Sequence, residues 1–389
     1  MKDLNNLIEQ FYQIYNKSDS KPNIFFAPGR VNLIGEHTDY NGGYVFPCAL
    51  NYGTYLLIRE TQDETIRFAS TNMEFTAKIS ISGLGEKQGK EWVNYPMGVI
   101  DQLIKLGIQP KGSELLYSGD IPNGAGLSSS ASIEVVTAYA LNKLWNANIP
   151  KIDLIKLSQK AENEFVGMNC GIMDQFAVGV GQKDSALFLN CDTLDYENVP
   201  LVLKNYKLVI SNTNKRRELA DSKYNERRSE CDKAVEYLNE KKKIRNLSEL
   251  SLEEFEEIKS AIPDEIIRSR ARHVISENDR VLRAIPALKN GNLDLFGQLM
   301  NESHDSLKTD YEVTGFELDT MAEEAQKLSG VIGSRMTGAG FGGCTVSLVD
   351  QDQIDGFIDK LGKTYSEKTN LQADFYVADV GNGVCELFL

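Results

Sequence analysis

The 389 residues are 41% hydrophobic and 25% charged, the balance of a water-soluble globular protein with core enough for two domains. With 56 acidic against 42 basic residues the formal charge is −14, which argues against a nucleic-acid or anionic-membrane partner. Six scattered cysteines with no C-x-x-C pair imply no disulfide framework or zinc site, and three histidines argue against a multi-histidine metal centre.

In chain order, Leu4, Leu7, Ile8, Phe11 and Tyr15 recur at helical spacing and predict an amphipathic opening helix. Its acidic and amide residues differ from the bare apolar run of a signal peptide, and no later stretch approaches the ~18 apolar residues of a membrane span. A soluble cytoplasmic monomer is expected. Strands are predicted over 24–27, 44–50, 54–60 and 65–69, then a helix over 93–106 and a strand over 114–117. A strong helix over 128–145 carries Ile133, Val136, Ala140 and Leu144 on one face. Helices over 152–166 and from 171 close the first half. The second half opens with a strand over 207–211 and a long charged helix over 217–242. Helices over 252–262, 277–288 and 293–307 follow, and a glycine-rich 333–343 leads into a strand over 345–349. A helix over 354–365 and a strand over 374–380 end the chain. Helices and strands mix throughout, which predicts the α+β class, with domains over 1–200 and 201–389 and a last strand able to pack back on the first.

Two nucleotide motifs fail on context. Gly338-x-Gly340-x-x-Gly343 has the letters of the dinucleotide fingerprint, but that motif opens a helix and here a strand follows. Gly362-Lys363-Thr364 looks like the end of a Walker A loop, but Phe357 stands where its first glycine belongs.

Residues 119–132, GDIPNGAGLSSSAS, are richer. Gly124 and Gly126 permit close approach of backbone to a ligand, and Ser128, Ser129 and Ser130 open the strong helix. Free N–H groups and the positive dipole end make such a start an anion site, whose hydroxyls can bond phosphate oxygens or Mg2+. The plainer reading is a serine-capped helix after a turn, although three serines and two spaced glycines exceed what capping needs. In residues 27–43, Arg30, Glu36, His37 and Asp39 combine donors and acceptors as a polyol requires, framed by apolar Val31, Leu33 and Ile34. The alternative is a solvated polar turn. Asp174, in Cys170-Gly171-Ile172-Met173-Asp174-Gln175, reads equally as a first-turn helix residue or as a catalytic carboxylate held by Arg30.

Pro122-x-Gly124-Ala125-Gly126-Leu127-Ser128-Ser129-Ser130-Ala131 resembles the ATP-binding motif of the GHMP kinases, and residues 27–43 resemble the signature of their galactokinase branch almost residue for residue. Motifs recur from 27 to 343. The resemblance implies a two-domain fold, the first resembling domain 2 of ribosomal protein S5 and the second ferredoxin-like, with the active site in the cleft between them. It implies transfer of the γ-phosphoryl group of ATP to the C1 hydroxyl of galactose. Asp174 would be the catalytic base beside Arg30. Glu36, His37, Thr38, Asp39, Gly171 and Tyr224 would contact the sugar. Trp92 and Tyr95 would flank adenine, the loop from Gly124 to Ser130 would wrap the phosphates, and Ser130 and Glu162 would ligate Mg2+. Kinases for related sugars are the near alternative. A non-catalytic sensor on the same fold is the far one, disfavoured by intact Ser128–Ser132 and Asp174.

Overall fold

The computed structural model describes residues 2–121, 126–215 and 220–388. A six-stranded sheet builds the first half, in the order Cys385–Leu387, Asn23–Asn32, Pro47–Glu60, Ser113–Gly119, Thr65–Ser70 and Ala77–Ser80. Only the pairing of Thr65–Ser70 with Ser113–Gly119 is parallel. Successive residues of a strand face opposite ways, so the unbroken run Tyr55-Leu56-Leu57-Ile58 signals a sheet covered on both faces. Leu56 and Ile58 join a core with Met97, Val136 and Leu141 from the helices Asn94–Lys105 and Ser129–Leu144. Tyr55 and Leu57 meet Leu7 and Phe11 of the opening helix, Leu4–Tyr15.

The second sheet, all antiparallel, runs Val331–Thr337, Cys344–Asp350, Tyr206–Asn212, Asp374–Ala378. One face packs Val209 and Val349 on Phe357, Leu361 and Tyr365 of the helix Ile354–Thr369, which also contains the Walker-like Gly362-Lys363-Thr364. On the other face, Leu208, Ile210, Val346 and Leu348 share a core with Phe296 and Met300 and with Val31, Leu33 and Ile34 from the first half. The two halves therefore have a common interior. A small third sheet joins Tyr44–Val45, Ser185–Asn190 and Tyr196–Pro200.

Several elements differ from the sequence expectation. The hairpin of Ser185–Asn190 and Tyr196–Pro200 was not expected at all. The helix expected over 277–288 begins at Glu265, where Asp264 accepts from the N–H groups of Ile266 and Ile267, and runs to Lys289. The helix expected over 152–166 is α-helical only across Lys151–Lys160 and then widens into a π-helical turn, Ala161–Val166. The strand expected over 374–380 stays in the second sheet, and three later residues, Cys385–Leu387, cross back to pair with Ile24–Phe26.

Two details of the fold aim the site. The pairing of Asn23–Asn32 with Pro47–Glu60 slips register between Pro28 and Arg30. Gly29 lies in this irregularity, where a Cβ would stand 2.6 Å from the Leu127 carbonyl oxygen. The strand backbone thus presses on the serine-rich loop, and the Arg30 N–H donates to that carbonyl at 3.1 Å.

Candidate active site

A cleft of about 600 Å3 opens where these parts meet. It is lined from the first half by Arg30, Glu36, His37, Asp39, Gly126, Ser128, Ser129, Ser130, Glu162, Gly171 and Asp174, and from the second by Tyr224, Gly338 and Ala339 among others. Gly124 and Ala125 lie outside the described residues. Leu127 is buried in the common core and shapes the loop through its carbonyl.

Arg30 and Asp174, 144 residues apart, form a two-pronged ion pair: Nε donates to Oδ1 at 2.7 Å and Nη2 to Oδ2 at 2.9 Å. The remaining guanidinium nitrogen donates to the Gly126 carbonyl at 2.8 Å, tying the carboxylate to the phosphate loop. Ser128 holds the N-cap position of its helix in a left-handed conformation (φ 61°) without capping it. Its hydroxyl donates to Asp174 Oδ2 at 2.6 Å instead. Asp174 lies in the first turn of the helix Met173–Val180, turned to Arg30 and Ser128. The capping explanation thus fails for Ser128.

The sugar-loop residues divide. Asp39 faces the cleft against Gly171, where a Cβ would come within 1.9 Å of its carboxylate, so any side chain there would push the carboxylate aside. Burial first, and the Asp174 charge second, push Asp39 up to about 6. His37 (φ 62°) also faces the cleft, and burial, followed by the positive charge of its neighbours, holds it at about 3, so its ring is neutral. The Tyr224 ring lies 5.6 Å from the His37 ring and 5.2 Å from that of Tyr40. Thr38 departs from the expected sugar contact. Its buried hydroxyl lies 2.9 Å from the Gly35 carbonyl oxygen and 2.8 Å from that of Tyr44, closing the turn beneath the loop rather than lining the cleft.

Glu36 lines the cleft from a buried network that was not expected. Its Oε2 accepts from Asn32 Nδ2 at 2.7 Å and Arg335 Nη2 at 2.9 Å, and its Oε1 from the Gly338 N–H at 2.5 Å. Burial raises its pKa, opposed by Arg335 and Arg30. Arg335 is fully buried and also donates to the Asn32 carbonyl and the Ser303 hydroxyl. Glu277 supports the loop from below, accepting from the Gly35 N–H at 2.8 Å and the Ser303 hydroxyl at 2.6 Å. Burial would raise Glu277, but Arg280, Arg335 and His273 outweigh it and hold it at about 2. The detectable signal was Arg335, a charge inside a strand that needs a buried partner, whereas Glu277 shares its buried helix side with Arg270, His273 and Asn278 and does not stand out.

Beside the serines, Gln175 Nε2 donates to Glu162 Oε2 at 2.6 Å and to Glu134 Oε2 at 3.0 Å. Glu134 is fully buried, and its second oxygen has no hydrogen-bond partner. Burial, then the Asp174 charge, raise Glu162, whose carboxylate is within reach of the Ser130 hydroxyl. Arg30 is the one guanidinium or ammonium group among the described residues lining the cleft, against the carboxylates of Glu36, Asp39, Glu162 and Asp174. That surplus of hard oxygen donors suits a divalent cation, although no cluster of three or more His, Cys, Asp or Glu is grouped to hold one among the described residues. Ser129 and Ser130 also border a second cavity of about 210 Å3, walled by Trp92, Tyr95, Tyr117, Ile121 and Ile133. Trp92 is fixed there by Nε1 donating to the Phe75 carbonyl at 3.0 Å. A mostly apolar slot thus adjoins the serine-rich helix start. No helix of the described residues is long and apolar enough to cross a membrane.

The chain is similar to known proteins over nearly its whole length. Residues 9–60 match the galactokinase galactose-binding signature, 94–182 the GHMP kinases N terminal domain and 284–367 the GHMP kinases C terminal domain. Galactokinases of Fusobacterium nucleatum and Clostridium beijerinckii are 52% and 50% identical, each over 98% of this chain and over 98% and 99% of their own lengths. The crystal structure of Lactococcus lactis galactokinase complexed with galactose superposes with a TM-score of 0.97 at 46% identity, covering 99% of this chain and all of that one. Mevalonate kinase of Methanococcus jannaschii, at 22% identity, 94% and 100% coverage and a TM-score of 0.68, shares the fold. With its signature loop, its two kinase domains and full-length relatives at half identity, the chain belongs to the galactokinase family of GHMP kinases.

Proposed function

We propose that the protein transfers the γ-phosphoryl group of ATP to the C1 hydroxyl of galactose, giving galactose 1-phosphate and ADP. The observation that carries this reading is the Arg30–Asp174 pair, bonded to the phosphate loop through Gly126 and Ser128 on one side and next to Asp39 and His37 on the other. The apolar slot at Trp92 and Tyr95 suits adenine, and the N–H groups at the start of Ser129–Leu144 suit the triphosphate. Asp39, His37, Glu36 and Tyr224 face the sugar, with Gly171 leaving room for Asp39.

Phosphoryl transfer has a loose transition state, so alignment and charge placement matter more than a strong nucleophile. The C1 oxygen bonds to the γ-phosphorus as the bond to the bridging oxygen of ADP breaks, and Asp174 Oδ accepts the hydroxyl proton. Arg30 holds that carboxylate in place by two hydrogen bonds. A divalent cation held by Ser130 and Glu162 would supply charge neutralisation along the triphosphate. Six free thiols fit the reducing cytoplasm.

Asp174→Asn keeps the size of the side chain but loses the proton acceptor and one of the two oxygens that accept from Arg30. Galactose-dependent ADP release is expected to fall ~10²–10⁴-fold while calorimetric galactose binding persists. Turnover near the wild-type rate in this variant would remove Asp174 from the reaction. Failure of the unaltered protein to phosphorylate galactose, with turnover of N-acetylgalactosamine, galacturonate or arabinose, would reassign the sugar.

A further inference from the structure

Behind the sugar loop runs a buried string of polar groups that the chemistry above does not use. His37 Nδ1 lies 2.8 Å from the Tyr40 hydroxyl, that hydroxyl 2.7 Å from the Tyr311 hydroxyl, and the Tyr311 hydroxyl 3.2 Å from Cys231 Sγ. The string crosses the molecule: Tyr40 belongs to the sugar loop, Cys231 to the helix Ala220–Leu238, and Tyr311 follows the helix Leu293–Thr309. At its open end His37 Nε2 is buried beside the Ala339 backbone with no side-chain partner, and the residue lines the cleft.

Three bridges connect four groups, each with one hydrogen to give: the thiol, two phenols and a neutral imidazole. One hydrogen is left over, and because an idle hydroxyl hydrogen on a buried phenol is costly it sits at one end or the other. If donation runs from sulfur to ring, Tyr40 donates to Nδ1 and the spare hydrogen sits on Nε2. If it runs the other way, Nδ1 donates and Nε2 shows the cleft a lone pair. Two features choose the first direction. A phenol is the stronger acid and imidazole nitrogen the stronger base, so O–H to N is the better bond of the two. The Ala339 backbone beside the ring also favours a proton on it, as a carbonyl oxygen does. Ring neutrality, imposed by burial, excludes a proton on both nitrogens.

We propose that Cys231, Tyr311 and Tyr40 form a relay that fixes His37 in the tautomer protonated at Nε2, so that the ring offers the sugar a donor and selects an oxygen acceptor at the position it meets. The inference rests on the galactokinase reading of the cleft. It divides the labour of recognition: Asp39 accepts hydroxyl protons, His37 donates to a hydroxyl oxygen, and the three relay residues are positioning residues that touch no substrate. A sugar with hydrogen in place of that hydroxyl would leave the Nε2–H unpaired in a buried site.

The test reads the tautomer directly. Nitrogen-15 NMR of the wild-type protein labelled at histidine, with galactose bound, is expected to show His37 protonated at Nε2. Protonation at Nδ1 overturns the proposal and leaves the kinase reading intact, whereas absent galactose phosphorylation overturns the kinase reading itself. A kinetic arm uses Tyr40→Phe, which removes the phenol that holds Nδ1. Galactose KM is expected to rise about tenfold with kcat and ATP KM nearly unchanged. In the wild type, a deoxyfluoro galactose at the contacted position, an acceptor only, is expected to react better than the matching deoxy sugar. In Tyr40→Phe that gap is expected to close at that one position. A gap of the same size in both proteins counts against the relay.

Discussion

Asp39 illustrates a residue kept for binding at the expense of stability. Its folded pKa of about 6 lies above the ordinary value of 3.8. Between those values the folded chain holds the proton more tightly than the unfolded one, so the stabilisation is complete below pH ~4 and is lost as pH rises through 6. At pH 8 the half-buried charge is therefore a burden. Asp39→Asn is expected to raise thermal stability at pH 8 by about 1–2 kcal/mol, with the advantage shrinking toward pH 4, while sugar binding is lost. Melting curves of both proteins across that range check it. In the wild type, galactose KM is expected to climb as pH falls below ~6, because the protonated carboxyl no longer accepts both ways. A profile flat from pH 5 to 8 would count against Asp39 as the sugar's acceptor. At this scale the sequence was most legible where residues cluster: Arg30, Glu36, His37 and Asp39 lie within ten positions and all reach the cleft. Thr38 shares that cluster yet points away, since neighbouring side chains of a tight turn cannot all face one side.

At the level of elements, the two halves of the site are locked by the buried pair of Glu36 and Arg335. Removing one member of such a pair leaves an uncompensated charge, whereas removing both need not. Arg335→Met is expected to cost about 3–5 kcal/mol in denaturant unfolding, and the Glu36→Gln, Arg335→Met double variant to recover much of it. Additive losses would mean that the two side chains act separately. This pair joins positions almost three hundred residues apart, and no local pattern in either segment names the other. The same limit explains the missed elements. Helix Glu265–Lys289 begins earlier than expected because its first turns carry Arg270 and His273 on the buried side, where aliphatic residues would have signalled a helix. Arg270 is met there by Glu230, at 3.0 Å, and by Glu312. By contrast, Ser129–Leu144 and the strands Asn23–Asn32, Pro47–Glu60, Thr65–Ser70 and Ser113–Gly119 were readable because their apolar spacing is dictated by local geometry alone, while Ala77–Ser80 and Cys385–Leu387 of the same sheet were not expected.

For the whole molecule, the shared core of Val31, Leu33 and Ile34 with Ile210, Val346 and Phe296 couples the halves. Scanning calorimetry is expected to give one cooperative transition, and two separated peaks would contradict that coupling. The last described residues reinforce it: Cys385–Leu387 pair with Ile24–Phe26, and Glu386 meets Lys143 at 2.6 Å. Deleting residues 385–389 is expected to lower the melting temperature by about 2–4 °C while keeping a single transition. Sequence patterning shows where strands lie but not which edge takes the final one, because edge pairing is settled by the whole sheet. This closure has a consequence for synthesis. The segment that covers the outer edge of the strand Asn23–Asn32 leaves the ribosome only after some 350 further residues. Until then a row of unsatisfied amides is open to any neighbouring chain, so a prematurely terminated product would carry an adhesive flank that the finished protein hides.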